Sequence, residues 1–117
     1  MMSFSMKKFA HVGIEPVGDL PATAEILGSV LGGLIFVEDT MGRYCEFPAY
    51  VVERDGLRYA LLGVPAPEND LREEKTNDFE LMVEPSIPQG DGAKTDISDS
   101  LISRIEAEGR LKCWSLQ

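Results

Sequence analysis

The chain has 117 residues, 44% of them hydrophobic and 26% charged, enough for one folded domain with its own core and against disorder along its length. Its 20 acidic residues outweigh 11 basic ones for a net charge of -9, a field that repels nucleic acid and anionic membrane and attracts basic partners. No apolar run approaches the roughly 18 residues that crossing a bilayer takes. Lys7-Lys8 is not followed by the apolar stretch of an export signal, so a cytoplasmic protein is expected, and Met6 serves as well as Met1 for its start.

In chain order, residues 9–17 alternate loosely and carry β-branched side chains, which predicts a first strand. Asp19 and Pro21 mark a helix start, because aspartate caps free amides and proline is tolerated in a first turn. Leu20, Ala24, Leu27 and Leu31 follow at helical spacing, and Gly32-Gly33 ends the helix. Residues 34–38 are expected to form a short strand and 39–42 a turn. Residues 43–54 read as a longer strand whose middle Pro48 demotes to an edge or bulge.

Asp55-Gly56, between two alternating apolar runs, is a tight-hairpin signal, with the returning strand at 57–64. Residues 68–77 are polar and expected to be an exposed loop. In 78–84, Phe79, Leu81 and Val83 alternate with Asp78, Glu80, Met82 and Glu84, a half-buried strand with an acidic outer face. The Pro- and Gly-rich stretch 85–94 is expected to be mobile. Asp96 opens a second helix carrying Ile97, Leu101, Ile102 and Ile105, Gly109 closes it, and 111–116 alternate as a final strand.

The order is β-α-β-β-β-β-α-β. It predicts a single α+β domain over residues 1–117, with a mainly antiparallel sheet of about five to six strands and two helices packed on one face.

Few residues offer chemistry. His11 is the single histidine, and Cys45 and Cys113 match no metal or redox spacing; they are expected as two reduced, packed thiols, with a disulfide as the other option. There is no Gly-x-Ser-x-Gly frame, Gly32-Gly33 follows a helix instead of opening one, and residues 91–96 lack the frame of a calcium loop. No catalytic residue, cofactor or metal is therefore expected.

The charge is unevenly spread. Residues 66–108 hold 12 acids against 4 bases, so -8 falls there and -1 elsewhere. The candidate partner-binding acids are Asp70, Glu73 and Glu74 in the loop, Asp78, Glu80 and Glu84 on the strand, and Asp91 beyond it. Tyr44 and Tyr50 are the candidate aromatic anchors beside them. Core packing and cross-strand pairing is the first reading of Tyr44, Phe47, Tyr50, Tyr59 and Trp114 alike, and Tyr44 or Tyr50 anchors a partner if it faces outward.

The run Gly42-Arg43-Tyr44-Cys45-Glu46-Phe47-Pro48-Ala49-Tyr50, followed by Asp55-Gly56-Leu57-Arg58-Tyr59-Ala60-Leu61-Leu62-Gly63, resembles small bacterial immunity proteins of contact-dependent growth inhibition systems. That resemblance implies a cytoplasmic inhibitor that binds one cognate toxin domain, often a basic nuclease, and occludes its active site or substrate surface. Two other readings stay open: a small hydrolase or isomerase using His11, and an adaptor or oligomerisation module.

Overall fold

The computed structural model describes residues 7–44, 46–73, 76–87 and 94–116. Within them lie β1 (Lys7–Ile14), α1 (Leu20–Val30), β2 (Val37–Glu38), β3 (Ala49–Arg54), β4 (Leu57–Leu62), a 3-10 turn (Pro67–Asn69), β5 (Phe79–Pro85), β6 (Lys94–Asp96), α2 (Ser98–Glu108) and β7 (Cys113–Ser115). The strands form one sheet in the order β2-β3-β4-β5-β1-β6, with β7 also on β1. Every pairing is antiparallel except β1 with β6. This is the α+β architecture the alternation predicts, with one more strand.

The period-two pattern fixes the two faces. Ala10, Val12 and Ile14 of β1, Leu61 of β4, and Phe79, Leu81 and Val83 of β5 point to one side. There they meet Leu20, Ala24, Leu27 and Val30 of α1 and Leu101 and Ile105 of α2, so both helices cover the same face and the main core lies between. Burying each of these large aliphatic side chains stabilises the fold by roughly 1.5–3 kcal/mol before conformational entropy is set against it.

Local chemistry sets the element ends. Asp19 accepts the Ala22 amide at 2.9 Å and starts α1. The buried Thr23 hydroxyl ties the preceding loop down, accepting from the Val17 amide at 2.9 Å and donating to its carbonyl at 3.0 Å. At the other end the amides of Gly33 and Leu34 both donate to the Gly28 carbonyl at 2.9 Å, and Gly32 and Gly33 take positive φ. That cap consumes the Leu34 amide, so β2 begins at Val37 and not at 34. Likewise β3 begins at Ala49 and not at 43. Asp39 draws the Met41 and Arg43 amides into a turn, Phe47 closes a second one on the Tyr44 carbonyl, and Pro48 has no amide to give a ladder. Asp55 (φ 54°) and Gly56 (φ 79°) make the tight turn between β3 and β4.

The unexpected strand is β6, which runs parallel to the start of β1 with Lys7 opposite Lys94 and Phe9 opposite Asp96. The chain then leaves through α2 and returns as β7, antiparallel to the end of β1. The gap between β6 and β7 is closed by single bonds. The Ile97 amide donates to the Phe9 carbonyl at 2.8 Å, the His11 amide to the Ser98 hydroxyl at 3.0 Å, and the Leu116 amide to the His11 carbonyl at 3.2 Å. Two short strands and a buried serine thus satisfy an edge that would otherwise be open. Asp96 supports this seam, accepting the Ser98 amide at 2.9 Å one residue ahead of the helix cap Ile97. Hydrogen bonds from the Ser98 hydroxyl and amide hold the Asp96 carboxyl below its ordinary range. Gly109, at φ 95°, ends α2 as the sequence predicts.

Candidate functional site

The face of the sheet away from the helices carries the candidate site. Its side chains fall in cross-strand rows. The first row is Glu53, Arg58 and Glu84. The second is Val51, Ala60, Met82 and His11. The third is Ala49, Leu62, Glu80, Gly13 and Trp114. The segment before β3 lays Tyr44 and Phe47 over Ala49, Ala60 and Leu62, a small second core on this side.

In the charged row Arg58 donates to Glu53 and to Glu84, each at 3.4 Å, and to the Ser86 carbonyl at 3.3 Å. The Tyr44 hydroxyl is enclosed beside this row with no well-formed hydrogen bond. Burial first, then the Glu84 charge, pushes its pKa up against the opposing pull of Arg58.

In the third row Trp114 lies over Gly13. A methyl group on Gly13 would fall 2.2 Å from the indole Nε1 and 2.4 Å from Cε2, so any larger residue here would displace the ring. Trp114 remains 37% exposed. Its indole, with Phe47, Leu62 and Leu116, forms the apolar part of a groove of about 430 Å³, and Arg72, Asp78 and Glu80 form the charged part. Arg72 is engaged by Asp70 through two contacts, Nε to Oδ1 at 2.9 Å and Nη2 to Oδ2 at 2.8 Å. That pair is close to neutral, whereas Asp78 and Glu80 have no ion pair among the described residues. Among the described residues the groove's uncompensated charge is therefore negative.

The candidate acids among the described residues are not all on one surface. Asp78 and Glu80 enter the groove. Glu84 lies two rows away, bound to Arg58. The Asp70 side chain is 6% exposed and paired with Arg72 within the loop. Glu73 is exposed on the loop, while Glu74 and Asp91 lie outside the described residues, as does most of the stretch expected to be mobile. Asp99, Glu106 and Glu108 belong to α2, beyond the sheet. The two tyrosines separate as well. Tyr44 covers the helix-free face, but Tyr50 pairs with Leu61 and packs against the main core, so the sheet stands between it and Glu80.

Trp114, Phe47 and Leu116 were not singled out as anchors by their sequence context. The signals were a glycine inside a strand pattern and an alternation that turns Trp114 outward when Cys113 turns inward. Cys113 is a buried, free thiol pushed up to about 11 by burial and the Glu106 charge; Cys45 lies outside the described residues. His11 lines a second depression of about 260 Å³ with Met82, Glu84 and Lys94. Among the described residues no three His, Cys, Asp or Glu side chains converge to hold a metal, and no helix is long and apolar enough to cross a membrane. Comparison with protein-family models, curated proteins and solved structures returned no match.

Proposed function

We propose that this protein is a binding inhibitor of the immunity type. It acts in the cytoplasm and neutralises a basic toxin domain, a nuclease by preference, by covering its active site or substrate surface. The observation that carries the reading is the helix-free face, where an exposed indole and two carboxylates that have no ion pair among the described residues line one groove. Aromatic anchors that exclude water and carboxylates that meet Lys and Arg are the two components such an interface needs. A nuclease surface is basic because its substrate is a polyanion. The overall charge of -9 would speed the encounter.

Co-expression of the tagged protein with the polypeptide encoded beside it, followed by capture at low and high salt, tests this. A stoichiometric basic partner held at low salt, weakened at high salt, and lost with Trp114→Ala or Glu80→Lys is the expected result. Undiminished capture by both variants would remove this face from the mechanism.

A further inference from the structure

We propose that the groove is a socket for one arginine side chain of the partner, stacked on Trp114 and neutralised by Asp78 and Glu80; this rests on the inhibitor reading above. Three features select that occupant. The register places Glu80 directly beside Gly13, and Trp114 lies over that glycine, so a carboxylate and an indole border the same space. Asp78 lines it too, and Arg72, the cation among the described lining residues, is already taken by Asp70. A guanidinium suits such a site because its plane stacks on an aromatic ring while its fork of N–H donors reaches carboxylates. A purely apolar segment would cover Phe47 and Leu116 but leave two carboxylates desolvated without partners, which costs affinity. The groove, about 430 Å³, has room for a long side chain and its neighbours.

Trp114 is the chain's single tryptophan, so its emission and its indole N–H resonance report on this site alone. The probe is the capped tripeptide Gly-Arg-Gly, compared with the same peptide carrying citrulline, a neutral isostere, or norleucine. The expected result is a saturable shift of the indole resonance by the arginine peptide, with the citrulline and norleucine peptides at least tenfold weaker. Asp78→Asn with Glu80→Gln should abolish that tenfold preference. Neither residue is in an ion pair among the described residues, so this variant should keep the parent's melting temperature.

Equal binding of the three peptides, stronger binding of norleucine, no Trp114 response, or an arginine preference that survives in the double variant would each overturn the socket. Failure of the inhibitor reading shows separately. It appears as an arginine response on Trp114 with no basic partner retained in the capture experiment, an outcome that supports the socket and removes only the toxin.

Discussion

Substituting Gly13 by alanine tests whether the indole of Trp114 is held where it is by the bare backbone beneath it. Gly13 has no positive φ, so alanine is compatible with its backbone and in an ordinary strand would stabilise by about 0.5–1 kcal/mol. Here the new methyl group would lie 2.2 Å from the indole, and the ring must move by more than an ångström. Trp114 is 37% exposed, so about 100–150 Å² of it is covered, which corresponds to about 2.5–4 kcal/mol if wholly lost. Losing half of that and regaining the alanine preference leaves Gly13→Ala about 1 kcal/mol less stable, a drop in Tm of about 4 °C. In a Trp114→Ala background the same change should stabilise by about 0.5–1 kcal/mol, a coupling of about 1.5–2 kcal/mol. Denaturant unfolding of the four proteins, with tryptophan emission followed in the two that retain Trp114, reads the cycle. Additivity within about 0.5 kcal/mol would refute the contact.

Three further outcomes are expected. Gly28→Ala should destabilise by about 3 kcal/mol, because its Cβ would meet the Leu34 carbonyl oxygen at 2.0 Å and that atom is backbone; a Tm within about 2 °C of the parent would contradict it. Asp96→Asn should lower Tm at neutral pH. The folded pKa of Asp96 is depressed, so its contribution is present above the ordinary value of 3.8 and is lost as pH falls through the folded value; the gap between variant and parent should close there, and a gap independent of pH would argue against the Ser98 bonds as its source. Alkylation at Cys113, followed by peptide mass spectrometry at pH 8, should be about 100-fold slower folded than unfolded, since the thiol moves from 9.0 to about 11; equal rates would mean that the thiol is not enclosed.

Local chemistry was legible in the sequence, and long-range pairing was not. Asp19, Asp55-Gly56 and Gly109 act through bonds or dihedrals within a few residues, and each marks its boundary in the structure. The alternation of 78–84 placed Phe79, Leu81 and Val83 inward because a strand's period is two wherever its partner comes from. By contrast, β6 is three polar residues that form a strand against the edge of β1, more than 80 residues earlier. The stretch from Arg43 alternates but becomes turns, since Asp39 captures amides that a ladder would need. The acidic cluster shows a different side of the same limit. Closeness along the chain became a loop, a strand and a helix on two sides of the sheet, and Arg58 and Arg72 neutralised Glu84 and Asp70. Trp114, outside the cluster in sequence, joined Glu80 through the register of β1 with β5 and β7.

If the helix-free face binds the partner, its side chains lose solvent when the complex forms. Hydroxyl-radical footprinting, with and without the captured basic polypeptide, tests it most directly. Trp114, Met82, Phe47 and Leu116 carry oxidisable side chains on that face, and the exposed Ile35 and Met41 lie outside the groove as internal controls. Trp114 and Leu116 should be strongly protected in the complex while Ile35 and Met41 oxidise as before. Protection of Ile35 and Met41 with Trp114 unchanged would place the partner elsewhere and contradict binding through this face.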